Sequence, residues 1–310
     1  MKLLSFGEII WDVYSENKQT LGGAPLNFAA YAAMLGSTAW LVSSVGADEL
    51  GKKALEQIKE LGLKTEYISI ADGKATGQCR ITLDQNGVPS YNILKDVAYD
   101  CILLPNKLPL VFDTIVFGTL ALREEHNRQK LKSILASNVF SEIYTDLNIR
   151  SPFYSKESID FCLSNATIVK ISDEELPLIT QTLFHSILDL QEAVAFIAEK
   201  YPQIKLLLIT CGEKGSFCYD RLSGQTHYCP AEPVPVVSTV GAGDSFGASF
   251  LTLYNKTKDI PYALRLSAKI SAFVVSHKGA IPSTAKEFIN KLLSDEKKQG
   301  LANYEKIKNV

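Results

Sequence analysis

A chain of 310 residues, 46% hydrophobic and 21% charged, carries enough apolar material for one large packed core, which excludes a predominantly disordered protein. Its formal net charge is −2, and Lys and Arg nowhere gather into a stripe able to neutralise a run of phosphates, so nucleic acid is not an expected partner. No apolar run approaches bilayer-spanning length, and the start MKLLSFGEIIWD meets Glu8 and Asp12 before a signal-type segment develops, so the expectation is a cytoplasmic protein without membrane contact.

In chain order, KLLSFGEII (2–10) is the first apolar run of strand type, and WDVYSE (11–16) reads as part of a small β appendage. PLNFAAYAAMLG (25–36) spaces its apolar residues by three and four, as a helix does. TAWLVSSVG (38–46) reads as a strand and DELGKKALEQIKELG (48–62) as a helix. Between 63 and 101 the rhythm breaks: YISI, GQCRITLD and PSYNIL read as strands of period two, with turns at Asp72-Gly73 and Asn86-Gly87. A small β-sheet formed by about 11–20 and 64–101, inserted in the core and able to act as a lid, is the expectation.

Strands then follow at TIVFGTL (114–120), EIYTDLNI (142–149), ATIVKIS (166–172) and KLLLITCG (205–212), with helices at 123–137 and 189–201. Beyond Val240 the pattern is almost wholly helical, and the tail 299–310 is expected to fray. Strand and helix alternate without a repeat or linker, which predicts an α/β fold with a mainly parallel sheet in one domain over 1–310. The six cysteines are scattered and the four histidines lack ligand spacing, so buried reduced thiols and no structural metal are expected.

The strongest chemical signal is VVSTVGAGDSFGASF (236–250), a β-branched run entering Gly241-Ala242-Gly243 and then an apolar helix. Such a turn lets backbone approach a ligand closely and aims free N–H groups and the helix dipole at an anion. Asp244, in the first helical turn, is either an N-terminal carboxylate placed for stability or a base for a hydroxyl proton. Beside the anion-binding turn, the base would complete phosphoryl transfer. The second signal is LGGAPLNFAAYAAMLG (21–36), where Gly22 and Gly23 would let a polyol rest on bare backbone and Asn27 offers both donor and acceptor to neighbouring hydroxyls. A plain turn before a helix is the alternative.

On these two segments the chain resembles the ribokinase-like (PfkB) carbohydrate kinases, and within them the bacterial fructokinases. FGEIIWD (6–12), YTDLNIR (144–150), KISDEEL (170–176) and TCGEKGS (210–216) extend the resemblance over nearly the whole length. It implies a three-layer α/β/α core with a β lid, ATP and Mg²⁺ as cofactors, and a sugar as the other small-molecule substrate. Asp12, Gly23 and Asn27 would hold sugar hydroxyls, Asp244 would deprotonate the acceptor, and the backbone of Ala242, Gly243 and Asp244 would form the anion hole. Thr210, Gly212 and Gly215 would line the nucleotide phosphates, Glu175 would organise Mg²⁺ through water, and Lys170 would stand at the mouth of the same strand. The alternatives are a solvated strand-end carboxylate at Asp12, a surface amine at Lys170 and a helix cap at Glu175. Pairing of two copies through the lid is also implied.

Two departures carry expectations. Ser172 stands where many relatives have Asn, which leaves Glu175 in place and Mg²⁺ dependence intact. Ser238 stands where relatives often have Asp at a monovalent-cation site, so strong potassium activation is not expected. Arg150 could meet a substrate carboxylate or nucleotide phosphate, or lie in a surface loop, so 2-keto-3-deoxygluconate kinase and ribokinase stay beside fructokinase. A non-catalytic sugar sensor on the same fold is the contrary reading, opposed by the intact Gly241–Asp244 run. A dinucleotide-dependent oxidoreductase lacks its glycine fingerprint, since FGEIIWD offers one glycine where three are needed.

Overall fold

The computed structural model describes residues 1–15, 18–83, 89–103, 108 and 111–308. In chain order the strands are β1 (Lys2–Phe6), β2 (Ile10–Ser15), β3 (Lys18–Gly22), β4 (Thr38–Gly46), β5 (Lys64–Ala71), β6 (Gly77–Leu83), β7 (Pro89–Ile93), β8 (Thr114–Phe117), β9 (Glu142–Asp146), β10 (Ile168–Ser172), β11 (Leu206–Thr210), β12 (Ser216–Asp220) and β13 (Gln225–Cys229). The helices are α1 (Ala24–Met34), α2 (Glu49–Glu60), α3 (Glu125–Ser137), α4 (Lys156–Asn165), α5 (Leu176–Phe184), α6 (Leu190–Lys200), α7 (Ala242–Thr257), α8 (Ile260–Val275) and α9 (Ala285–Lys308).

Nine strands form the large sheet in the order β13-β12-β11-β10-β9-β8-β1-β4-β5. From β5 to β11 neighbouring strands run parallel, and β12 and β13 add an antiparallel edge. Alternation along each strand divides the apolar side chains between two cores. Leu4, Phe6, Ile115, Phe117, Val169, Ile171, Leu207 and Ile209 pack with residues of α3 to α6 on one face. Leu3, Val116, Ile168, Leu206 and Leu208 pack with α1, α2, α7, α8 and α9 on the other. Three layers result because a sheet buried on both faces must be covered by helices on both.

Helix starts are locally encoded where a side chain can take up free amides. Asp48 accepts from Gly51 at 2.8 Å to open α2, and Asp189 accepts from Glu192 at 2.9 Å to open α6. Helix α9 extends from Ala285 to Lys308, into the tail 299–310.

The smaller sheet has the order β3-β2-β6-β7. Its extent differs from the expected 11–20 and 64–101, because Lys64–Ala71 lies in the large sheet, paired parallel with β4. A strand reached through a helix such as α2 returns parallel beside the strand it left, and that constraint outweighs the period-two pattern. The turn at Asp72-Gly73, with Gly73 at φ 72°, therefore links the two sheets instead of closing a hairpin within one. The other expected turn, Asn86-Gly87, lies outside the described residues, as does Glu16; β6 and β7 on either side pair antiparallel. Strands β12 and β13 were not foreseen. All six cysteines are unpaired, and five are buried. Among the described residues no helix is long and apolar enough to cross a membrane.

Candidate active site

Open parallel sheets present ligand crevices at the carboxyl ends of their strands. Here those ends carry Glu8 beyond β1, Gly118 and Thr119 beyond β8, Asp146 at the end of β9, Lys170 and Ser172 on β10 and Thr210 on β11. The start of α7 closes over them, and Asp244 shares a narrow cavity with Glu8, Gly118, Thr119, Asp146 and Asn148.

Gly241 is the N-cap of α7 with φ 80°, and a Cβ there would come within 2.7 Å of the Ala280 Cα, so both conformation and space require glycine. The Ala242 N–H donates to the Thr239 carbonyl at 3.2 Å and the Ser245 N–H to the Gly241 carbonyl at 2.9 Å. Between them, the Gly243 and Asp244 N–H groups have no hydrogen-bond acceptor among the described residues. Of the three amides expected to form an anion hole, two are open donors at the positive end of a helix, and that of Ala242 is engaged in the turn.

Asp244 and Asn27 are far apart in sequence but meet directly: Asn27 Nδ2 donates to Asp244 Oδ2 at 2.7 Å. Burial raises the Asp244 carboxyl to about 6; the Asn27 bond opposes this, Asp146 adds to it, and Lys170 and Arg150 pull it back. A carboxylate with that proton affinity is ionised near neutral pH yet a stronger acceptor than an exposed one. The Asn27 amide oxygen is buried without a partner, an acceptor left for a ligand donor.

Gly22 and Gly23 border the same region. Gly23 has φ 114°, and a Cβ on it would lie 2.5 Å from the Glu8 carbonyl oxygen; a Cβ on Gly22 would lie 3.9 Å from Asp12 Oδ2. Asp12 on β2 is half-buried, and burial raises its carboxyl while Arg150 lowers it. Arg150 is exposed, and its charge also reaches Glu8 and Asp244. These residues therefore converge, Asp12 and Gly22 from the smaller sheet, Asn27 from α1 and Arg150 from the loop after β9.

Lys170 is not a surface amine. It is 4% exposed, and its Nζ donates to Asp146 Oδ2 at 2.9 Å. Burial works against its charge, but Asp146, Glu175 and Asp244 outweigh it and raise the amine above its ordinary value. A Cβ on Gly243 would stand 3.2 Å from this ammonium, so the cation lies directly under the open amides. Glu175 Oε1 accepts the Ile149 N–H at 2.5 Å and Oε2 the Ser172 N–H at 2.8 Å, while the Ser172 hydroxyl accepts the Glu175 N–H at 3.3 Å. That is a capping arrangement at the entrance to α5, and Ser172 takes part in it. Thr210 ends β11, half-buried. Gly212, φ 53°, has open space where a side chain would be; Gly215, φ 93°, is pressed against the Cys229 carbonyl.

The description "pfkB family carbohydrate kinase" matches residues 9–287. The chain belongs to the pfkB family of carbohydrate kinases. As a pfkB-family protein it is a sugar kinase, and curated relatives carry fructokinase names. "Fructokinase-2" of Solanum lycopersicum is 30% identical over 291 residues, covering 87% of this chain and 86% of that protein. The "Fructokinase" of Salmonella typhimurium is 28% identical over 263 residues, covering 81% and 83%. Among solved structures, the fructokinase of Vibrio cholerae, described with fructose, ADP and calcium bound, has a TM-score of 0.78 at 19% identity over 93% of this chain and 98% of that one. The fructokinase of Xylella fastidiosa, described with bound ATP, has a TM-score of 0.79 at 22% identity over 96% and 99%. At such identity the structural likeness establishes the fold of this pfkB-family kinase.

Two site residues escaped the sequence reading, Glu8 and Asp146. Each stands inside a segment that carries the family resemblance, FGEIIWD or YTDLNIR. A carboxylate within an apolar strand-type run is the signal that could have found them, because such a charge is seldom buried without a task.

Proposed function

We propose that this chain is an ATP-dependent fructokinase in which Asp244 is the base. The observation that carries the reading is the 2.7 Å Asn27–Asp244 bond beside the two open amides of Gly243 and Asp244. A primary sugar hydroxyl held against Asn27, the bare backbone of Gly22 and Gly23, and Asp12 gives its proton to Asp244. The hydroxyl oxygen then forms a bond to the γ-phosphorus as the bond from phosphorus to the β,γ-bridging oxygen breaks, leaving ADP. Gly243 and Asp244 donate their N–H groups to the phosphoryl oxygens, with the Lys170 ammonium beneath and Thr210, Gly212 and Gly215 along the phosphate path.

Among the described residues no three His, Cys, Asp or Glu side chains form a metal cluster. That fits Mg²⁺, which keeps several waters and leans on substrate phosphates with one or two carboxylates. Glu175 would hold it through water using the lone pairs its two amide bonds leave free. When bound, the ion would neutralise charge developing between the β- and γ-phosphates.

Arg150 at the edge of the cradle favours a second reading, an acidic sugar such as 2-keto-3-deoxygluconate. A coupled assay with fructose, ribose, ketodeoxygluconate and adenosine separates them. Fructose is expected to give the highest kcat/KM, with ATP consumed only when the sugar is present. Preferential turnover of the acidic sugar would move the assignment to that kinase.

Ser238 supports a further expectation. Its hydroxyl accepts the Val240 N–H at 3.3 Å and its own N–H donates to Val275 at 3.1 Å, so a neutral, locally engaged group stands there. Turnover should change little when potassium is replaced by tetramethylammonium, and a large loss in that exchange would refute the expectation. The smaller sheet, with Tyr14 and Tyr91 exposed on it, is the surface on which two copies would pair.

A further inference from the structure

Helix α1 begins without a capping side chain of its own. Gly23 is the N-cap and no acidic residue stands in the first turn, yet this turn carries the glycine pair and Asn27. Free amides at a helix start need acceptors. The acceptor comes from a distant segment: Glu8, between β1 and β2, is 4% exposed, and its Oε1 takes the Ala24 N–H at 3.3 Å. The Glu8 carbonyl is also the atom that a Cβ on Gly23 would strike at 2.5 Å. Main chain and side chain of one residue thus hold the same turn, and the carboxyl lines the cavity that contains Asp244.

We propose that Glu8 is a positioning residue, a remote cap that fixes the Gly22-Gly23 turn and the start of α1, and through them the Asn27–Asp244 bond on which sugar binding and proton transfer depend. The proposal rests on the reading of Asp244 as base and of α1 as the sugar cradle. Charged and titratable groups facing Glu8 are Asp244 on α7, Arg150 beyond β9 and the Tyr99 hydroxyl. Those facing Asp244 are Asp146 on β9, Lys170 on β10 and Arg150, with the hydroxyls of Tyr31 and Tyr144.

Burial raises the Glu8 carboxyl to about 7, with Asp244 contributing and two backbone amides and Arg150 opposing. Asp244 is raised by burial as well, to about 6, and its charge adds to the rise at Glu8. Once ionised, Glu8 holds the Ala24 amide by a charge-assisted bond, the stronger form of the cap. The site therefore titrates as a coupled pair in two steps.

Two variants of the full chain separate the cap from its charge. Glu8→Ala removes the acceptor and is expected to raise KM for fructose about tenfold, the equivalent of one lost cap, while KM for ATP stays unchanged. Glu8→Gln keeps an oxygen for the Ala24 amide, so most of the sugar affinity should return. Its profile of kcat/KM against pH should show a single inflection where the native pair gives two. Wild-type fructose affinity in Glu8→Ala, or both inflections persisting in Glu8→Gln, would overturn the proposal. If Glu8→Ala does not fold, the Glu8→Gln profile decides.

Calorimetric titration of fructose into Asp244→Asn, with and without Glu8→Ala, reads the cradle without chemistry. Normal turnover by Asp244→Asn would remove Asp244 as base, whereas equal affinities in that titration would remove Glu8 as anchor. If another of the four acceptors carries turnover, the same measurements use that sugar.

Discussion

Asp244→Asn should lower kcat by about 10²–10⁴-fold while leaving fold and sugar affinity nearly intact. The substitution keeps an oxygen at the position where Asn27 donates, so the 2.7 Å contact can persist while the proton acceptor is lost. The pH dependence gives an independent check. Burial raises the carboxyl to about 6, and a base must be ionised to act, so kcat/KM of the native chain should fall as pH drops through that value. Residual turnover of the variant should lack this limb. Steady-state kinetics across pH 5 to about 8 measures both effects, and near-native turnover in the variant would remove Asp244 from the chemistry.

Breaking the buried Lys170–Asp146 pair is expected to cost much of the stability of the chain. The two side chains are 6% and 10% exposed and bonded at 2.9 Å through Asp146 Oδ2, and Asp146 Oδ1 has no partner among the described residues. Removing one member of such a pair leaves an uncompensated buried charge, which costs about 3–5 kcal/mol. Lys170→Met and Asp146→Leu should each lose about that much in denaturant titration, and the double variant should lose much less than the sum. Because the ammonium lies under Gly243, Lys170→Met should also abolish most turnover under conditions where it remains folded, whereas an additive double variant would mean the pair is not coupled.

The elements themselves were legible because their signals are short-range. Thr38–Gly46 emerges as a strand with the bounds its apolar run suggests, and α2, α3 and α6 lie within their predicted segments. The glycine turn at 241–243 could be read too, and Gly241 at φ 80° takes the left-handed conformation that favours glycine. By contrast, Lys64–Ala71 changed sheets, because strand pairing is decided by connections as much as by local alternation. The glycine turn ahead of α7 was visible, but the engagement of the Ala242 amide with Thr239 was not, since turn hydrogen bonding depends on how the chain enters the helix.

Periodicity and glycine placement in the sequence alone determined a mainly parallel α/β protein with a glycine-led helix bearing Asp244 and a second glycine pair ahead of Asn27. Tertiary structure alone decided that Glu8, Asp146 and Lys170 are buried beside them, and that Asn27 reaches Asp244. Strand order sets beside one another the ends of segments that lie far apart along the chain. The low-dielectric space so enclosed, rather than residue type, turns an ordinary aspartate into one with a raised proton affinity and a lysine into a buried cation.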